Sequence, residues 1–204
     1  QELARSTGSV GIALFYGSAA CFYSLLQGDL TWASERLSTL GEAQRELPTA
    51  ITSGLNVQAS QGMLLRQAGR LEEGLEHLRQ LNQAGREAGE YNTIYTTAVY
   101  FADAALELGD HYEEALGMLD QLRHGHRFGG PVWPLAQVAR LHAARGALAQ
   151  AKAVLQEARD KAGEQSFGLS PLWLGLAEAQ LARAEGMPEQ AFAAYQRCVE
   201  AAGK

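Results

Sequence analysis

Small and hydrophobic residues recur every three or four positions through most of the chain, which is the spacing that lines one face of an α-helix. Glycine-containing turns interrupt this pattern five times, and the turn glycines stand 41, 40, 37 and 40 residues apart. A regular period of this length is typical of proteins built from stacked repeats. Each repeat is predicted to be a helical hairpin whose turn contains one of five glycines: Gly28, Gly69, Gly109, Gly146 and Gly186.

Proline- and glycine-containing segments between the hairpins set the bounds of ten predicted helices. The predicted pairs are 10–27 with 30–47, 51–68 with 71–88, 92–108 with 112–124, 132–145 with 148–162, and 171–185 with 188–202. Asp29 and Asp110 follow turn glycines and are predicted to cap the next helix. Pro188 is predicted at a first helical position, and Ser170 is predicted to cap a helix that begins with Pro171.

The packing positions repeat together with the turns. Small residues stand seven positions before each turn glycine and five or six positions after it: Cys21, Gly62, Ala102, Ala139 and Ala179 before, and Ala33, Gly74, Ala115, Ala151 and Ala191 after. Small side chains at both places let the two helices of a hairpin approach closely. One turn further along are Leu37, Leu78, Leu119, Leu155 and Tyr195, which are predicted to fill the space between neighbouring hairpins.

This combination of small residue, glycine turn, small residue and large residue resembles the tetratricopeptide repeat, from about Val10 to Ala202. The resemblance implies an all-α, right-handed superhelix of five hairpins that forms a single domain over residues 1–204. The period departs from the family unit of about 34 residues, because the helices are longer. Long variants of this kind are similar to the repeat regions of bacterial signal-transducing ATPases and of transcriptional regulators of the LuxR type.

The charge of the chain argues against nucleic acid as a direct partner. Lys and Arg number 17 against 23 Asp and Glu, so the formal net charge is −6 and gives no general attraction to phosphate backbones. No run approaches the roughly 18 apolar residues of a membrane span, and no signal peptide is recognisable at the N-terminus. We therefore expect a cytoplasmic protein without membrane contact. Because the numbering starts at Gln1 and the first methionine is Met63, we also expect a fragment of a longer protein.

The sequence contains none of the local motifs that carry common enzyme chemistry. A phosphate-binding glycine loop, HExxH, GxSxG and CxxC are all absent, so no catalytic residue, cofactor or metal site is predicted. The best metal candidate is the pair His124 and His126, for which an ordinary solvated connection is the favoured interpretation. Cys21 and Cys198 lie within helical patterns and are predicted to be buried thiols.

The resemblance also implies which residues face a concave groove, because the first helix of each pair lines that groove in the family. The predicted binding residues at these inward positions are Asn56, Arg66, Gln67, Tyr100, Asp103, Trp133, Gln137, Arg140, Trp173, Gln180 and Arg183. Aromatic rings offer rigid contact area, and guanidinium groups pair with carboxylates in a bidentate geometry. The groove is therefore suited to an acidic peptide or to a flat polar small molecule. Trp133 and Trp173 have a second interpretation, as wedges between successive hairpins.

Two functions fit this sequence. The favoured one is a ligand- or protein-binding regulatory repeat domain of a larger bacterial regulator, for which the resemblance suggests control of transcription. In that case, occupancy of the groove by a protein, peptide or small-molecule effector alters how the repeats pack on neighbouring domains of the parent chain. The alternative is a passive scaffold that holds a partner's peptide or helix without switching.

Overall fold

The computed structural model describes residues 16–18, 20–21, 24–25, 28–45, 51–122, 130–164 and 170–202. Throughout these ranges the fold is all-α and contains no β-strand. The helices are α1 (Leu30–Arg45), α2 (Ile51–Gln67), α3 (Leu71–Ala88), α4 (Tyr91–Leu108), α5 (Tyr112–Asp120), α6 (Val132–Ala144), α7 (Leu148–Glu164), α8 (Ser170–Ala184) and α9 (Pro188–Ala202). The chain forms two compact units, residues 1–104 and 105–204.

The five predicted turn glycines are confirmed by their backbone conformation. Their φ angles lie between 74° and 80°, in the left-handed region that glycine enters without steric cost. In each turn, the residue that follows the glycine donates its backbone N–H to the carbonyl oxygen of the residue five positions earlier in the chain. Arg70 donates to Leu65 in this way, and Met187 donates to Ala182. This is the hydrogen bond of a Schellman motif, and it satisfies a carbonyl that the end of the helix would otherwise leave unpaired.

The described helices begin within one residue of the predicted positions, whereas the predicted caps differ in the third repeat and at Ser170. The Asp29 carboxylate accepts a hydrogen bond from the backbone N–H of Trp32 at 3.1 Å, so Asp29 caps α1 as predicted. The prediction for Asp110 is wrong: the N-cap of α5 is His111, whose φ is 61°, and Asp110 instead accepts from the N–H of His111 at 2.6 Å. The extra residue in this turn shifts the cap position by one. Pro188 is the first residue of α9, as predicted, whereas α8 is assigned from Ser170 itself.

Helix α5 is shorter than predicted, because it ends at Asp120 and not at residue 124. Its last turn carries no basic residue, and Asp120 places a carboxylate at the negative end of the helix dipole, which disfavours continuation. The backbone N–H of Leu122 bonds to the carbonyl of Leu119 at 2.9 Å, so a tighter turn closes the helix.

Close helix contacts explain the small residues in each hairpin. The predicted small positions are buried, among them Ala102, Ala151 and Ala179, which are each 0% exposed. A Cβ atom on Gly62 would lie 2.7 Å from Cδ2 of Leu78, so this crossing between α2 and α3 has no room for a larger residue. The small side chains therefore set the distance between the helices, as the sequence pattern predicted.

In the first unit, α1 packs on α2 and α2 packs on α3, with Leu37, Leu40 and Leu78 in the core. In the second unit, α6 contacts α5, α7 and α8, while α8 also contacts α7 and α9. Leu37, Leu78, Leu119 and Leu155 are at most 2% exposed, as predicted. Tyr195 was predicted to fill the same place but is 39% exposed, because none of the described residues covers it. None of the described helices is both long and apolar enough to cross a membrane.

Candidate functional site

The first helices of two successive hairpins lie side by side in the second unit, where α6 packs directly on α8. Trp133 of α6 and Trp173 of α8 occupy equivalent repeat positions, and their rings stack with centroids 4.3 Å apart and planes 9° from parallel. Each ring gives one face to the other, so the pair joins the two hairpins, as the second interpretation of these residues predicted. Both residues are half-buried, and the indole nitrogen of Trp133 is fully buried.

Polar residues follow the two tryptophans along the same faces of α6 and α8. Arg140 and Gln180 each follow a tryptophan by seven residues, which is two helical turns or about 10 Å along the axis. Both are half-buried, whereas Arg183, one turn beyond Gln180, is exposed. We name this surface of Trp133, Arg140, Trp173, Gln180 and Arg183 the tryptophan–arginine face. It combines aromatic rings with two guanidinium groups.

Gln137 was predicted to be a binding residue, but it is only 1% exposed and therefore lies beneath this face. Arg140 donates a hydrogen bond from Nη1 to Oε1 of Gln137 at 2.6 Å. A buried acceptor that holds one arm of a guanidinium group restricts its orientation, so less conformational entropy is lost when that group binds an anion. Gln137 therefore positions Arg140.

In the first unit, the predicted groove residues form a partly buried polar cluster between α2 and α4. Nη1 of Arg66 lies 3.8 Å from Oδ2 of Asp103, and their side chains are 16% and 14% exposed. Tyr100 is 5% exposed, and burial together with the Asp103 carboxylate raises the pKa of its hydroxyl above the ordinary range of tyrosine. The structure thus brings Arg66 and Asp103 together and places Tyr100 in the packing between helices.

Gln67 also joins elements of the first unit, since its Nε2 donates to the carbonyl oxygen of Leu25 at 2.9 Å. Its Oε1 is buried and has no hydrogen-bond partner among the described residues. Gln67 therefore uses its donor in a structural contact between repeats and keeps one acceptor unused. The side chain of Asn56 lies outside the described residues.

The second unit also contains a polar cluster, which was not predicted from the sequence. Glu178 of α8 accepts hydrogen bonds from Arg159 of α7 at 2.8 Å and from Arg197 of α9 at 2.9 Å. Nearby, Nζ of Lys152 lies 2.5 Å from Oε1 of Glu185. A cavity of about 350 Å³ adjoins both pairs, with Leu155, Leu181 and Ala194 among its lining residues. This cluster ties three helices together at a solvent-accessible cleft.

Glu178 is expected to make stability depend on pH. Burial raises the pKa of this carboxyl group, but the hydrogen bonds and the positive charges of Arg159 and Arg197 together lower it by more, so the net shift is downward from 4.5. A lowered pKa stabilises the folded state above the unfolded-state value, and this contribution is lost as the pH falls through the folded-state pKa. Because the side chain is 26% exposed, we expect Glu178→Gln to cost about 0.2–1 kcal/mol at pH 7 and less near pH 4.

Urea unfolding of the wild type and Glu178→Gln at pH 7 and at pH 4 measures this effect. The matched control is Glu189→Gln, which changes an exposed glutamate on α9. An equal loss of stability at both pH values, or the same response in the control, would show that the two arginines do not stabilise the ionised form of Glu178.

The described residues offer little further chemistry. They contain no group of three or more His, Cys, Asp or Glu side chains that could hold a metal ion, while His124 and His126 lie outside them. Cys21 and Cys198 are buried and free, as predicted. Comparison of the chain with protein-family models, with curated proteins and with solved structures gives no match.

Proposed function

We propose that this chain is a binding module with repeats of the tetratricopeptide kind, and that its binding surface is the tryptophan–arginine face. The supporting observation is the pairing of α6 with α8, which aligns equivalent residues of two repeats in one surface. Stacked rings provide a rigid contact area that loses little entropy on binding. Arg140 and Arg183, further along the same two helices, provide charge and directional hydrogen bonds.

An acidic peptide segment with an aromatic or apolar residue fits this face best. The chain carries a net charge of −6, so the half-buried Arg140 and the exposed Arg183, on the same two helices as the rings, provide local positive charge for an anion within an acidic protein. An extended peptide advances about 3.3 Å per residue. The distance of about 10 Å from the tryptophan pair to Arg140 and Gln180 therefore corresponds to about three peptide residues. The proposed ligand has an aromatic side chain and a carboxylate three positions later.

Binding at this face also suggests a route to regulation within a larger bacterial regulator. The tryptophan pair joins two hairpins, so a ligand that contacts both rings favours the arrangement of α6 and α8 in which they are stacked. A neighbouring domain that packs better on that arrangement would sense the ligand through a coupling free energy, of about 1–3 kcal/mol in typical cases. A passive scaffold would bind the same ligand without such coupling.

The test uses fluorescein-labelled nine-residue peptides that carry one Trp and one Glu three positions later, titrated into the intact protein and followed by fluorescence anisotropy. We expect saturable binding that weakens at least tenfold in Arg140→Ala, because a hydrogen bond to a charged group contributes about 1.5–3 kcal/mol net of the exchange with water, and about 1.4 kcal/mol corresponds to a tenfold change in affinity. The control variant is Arg145→Ala, since Arg145 directly follows the same helix as its C-cap and pairs with Glu113. A control peptide carries Gln in place of Glu.

Stability of each variant is measured in parallel, so that lost binding is not confused with unfolding. Equal affinity of the Glu and Gln peptides would contradict the proposed role of Arg140 as an anion contact. Equal weakening by Arg140→Ala and Arg145→Ala would place the interaction outside the tryptophan–arginine face.

A further inference from the structure

A cleft with both apolar and charged lining residues lies between α7, α8 and α9 of the second unit. Its volume is about 350 Å³, within the range of about 300–1,000 Å³ that is usual for small-molecule sites. Leu155, Leu181 and Ala194 belong to its apolar lining. On α8 the lining residues extend from Glu178 to Glu185, which is two helical turns or about 10 Å. We name this space the α7–α9 cleft.

The α7–α9 cleft is open on a side of the hairpin that the next hairpin does not cover. The exposed lining residues of α9 stand four, seven and eleven positions after its turn glycine: Gln190, Ala193 and Arg197. The residues at these positions of α1 are also exposed, although α2 packs on α1: Trp32, Glu35 and Thr39. The accessibility of the cleft therefore does not depend on whether another hairpin packs on α9.

The acidic residue in this cleft is peculiar to the last hairpin. Glu178 stands eight residues before its turn glycine, and the earlier hairpins carry an uncharged residue at this position: Ala20, Gln61, Phe101 and Val138. Val138 of α6 is 3% exposed and packs without an ion pair. Apolar residues stabilise such a joint at least as well as an ion pair commonly does. Packing of the hairpins alone therefore does not require the charges of the α7–α9 cleft.

The apolar lining differs from the preceding hairpin in the same way. Leu181 stands five residues before its turn glycine, and the equivalent residue of α6 is Leu141. Leu141 is 0% exposed, whereas Leu181 is half-buried and lines the cleft. The joint between α7 and α8 thus leaves apolar surface accessible beside charged groups. This combination is typical of sites for small amphipathic molecules.

Two guanidinium groups meet one carboxylate at the Glu178 end of the cleft. Nη2 of Arg159 donates to Oε1 of Glu178, and Nη2 of Arg197 donates to Oε2. The arginine side chains are 44% and 59% exposed, and within the described residues they donate hydrogen bonds only to Glu178. Because a guanidinium group has five N–H donors, both retain donors for a ligand. The three groups together carry one positive charge, which one monovalent carboxylate balances.

The other end of the cleft carries no such excess of charge, since Lys152 pairs there with Glu185 at 2.5 Å. The distance between the two ends sets the length of the ligand. A carbon–carbon bond of about 1.5 Å advances an extended alkyl chain by about 1.3 Å, so roughly seven bonds span most of the distance of about 10 Å from Glu178 to Glu185.

We propose that the α7–α9 cleft binds a small monocarboxylate with an extended apolar chain. Its carboxylate accepts hydrogen bonds from Arg159 and Arg197, and its chain lies against Leu155, Leu181 and Ala194. This site is separate from the tryptophan–arginine face, which belongs to α6 and α8, and it takes a different class of ligand.

The test titrates octanoate into the intact protein and measures the heat of binding by isothermal titration calorimetry. Octanoate combines one carboxylate with an alkyl chain of the required length. We expect one saturable site for octanoate and no saturable binding of octylammonium, which carries the opposite charge on a similar chain. Acetate lacks the chain and is expected to bind at least tenfold more weakly, because burial of each CH₂ group favours binding.

Charge variants test the arginine end. Arg159→Ala and Arg197→Ala are each expected to weaken octanoate binding at least tenfold, because each removes charge-assisted hydrogen bonds. Glu178→Gln is expected to strengthen it at least threefold, because the carboxylate that competes for both arginines is removed. The matched control is Arg145→Ala, which removes an arginine paired with Glu113 outside the cleft and is expected to change the affinity less than twofold.

A steric variant tests the cleft itself. Ala193 is exposed and lines the cleft, so Ala193→Leu places a larger side chain in it without entering the core. We expect octanoate to bind this variant at least fivefold more weakly. Ala153→Leu is the matched control, because Ala153 is exposed at the equivalent position of α7 and is not among the lining residues. It is expected to leave the affinity within twofold of the wild type.

Four outcomes would overturn the proposal: no saturable binding of octanoate, equal affinity of Arg197→Ala and the wild type, equal or weaker binding to Glu178→Gln, and equal binding to Ala193→Leu. Circular dichroism of each variant verifies that it is folded before titration. If Arg140→Ala weakens octanoate binding and Arg197→Ala does not, the carboxylate binds at the tryptophan–arginine face and the α7–α9 cleft is not its site.

Discussion

Replacing Phe101 by Ala is expected to lower the free energy of unfolding by about 3–5 kcal/mol, the range found for large aromatic side chains in cores. Phe101 lies on α4 and is 0% exposed, and the Arg79 guanidinium carbon of α3 is 5.6 Å from the centroid of its ring. Truncation removes the buried ring, leaves a cavity and deprives Arg79 of its aromatic contact. Urea denaturation followed by circular dichroism measures the change.

The matched control for Phe101 is Phe192, which is 63% exposed on α9. Phe192→Ala removes the same atoms but should change the free energy of unfolding by no more than about 0.5 kcal/mol. A similar loss in both variants would contradict the assignment of Phe101 to the core between α3 and α4. A loss below about 1 kcal/mol in Phe101→Ala would contradict it as well.

Enlarging Ala151 to Leu is expected to cost about 1–3 kcal/mol, because it overpacks the crossing of α6 and α7. Ala151 is 0% exposed and occupies the small position that recurs after each turn glycine. Ala191→Leu changes the equivalent position of α9, which is 6% exposed, and should also destabilise the protein. Both are measured by urea denaturation.

Ala153 provides the control for overpacking, because it lies on the same helix as Ala151 but is exposed. Ala153→Leu adds the same atoms where space is open and should leave the stability within about 0.5 kcal/mol of the wild type. Equal denaturation midpoints for all three variants would mean that the small positions do not mark helix crossings.

The turns could be predicted because their requirement is local. A residue with positive φ at the end of a helix favours glycine strongly, so Gly69 or Gly186 in a helical pattern indicates a turn without any tertiary information. In the third repeat, the turn was predicted correctly but the cap of the following helix was not. The extra residue of this repeat moved the cap from Asp110 to His111, which takes a left-handed conformation that the residue type does not predict.

The burial of an apolar residue depends on whether a neighbouring helix covers it, and the sequence pattern of one hairpin does not contain that information. Leu155 and Tyr195 occupy equivalent repeat positions, but Leu155 is 2% and Tyr195 is 39% exposed. The pattern within a hairpin identifies which side of a helix is apolar, and it cannot indicate whether another helix packs there.

The candidate site could be predicted in part. Equivalent positions suggested that Trp133 and Trp173 belong to one surface, but their stacking depends on how α6 and α8 meet. The cluster of Arg159, Glu178 and Arg197 was missed, because its members stand 19 residues apart on three helices and no local spacing relates them. The signal that could have indicated the pair of Arg159 and Glu178 is opposite charge on the second helix of one predicted hairpin and the first helix of the next.

The most direct test of the proposed binding surface is hydrogen–deuterium exchange of the intact protein with and without the Trp- and Glu-containing peptide. We expect slower exchange on peptide binding for amides of α6 near residues 133–140 and of α8 near residues 173–183. Protection confined to α7 and α9 would contradict this expectation, because the peptide would then bind away from the tryptophan–arginine face.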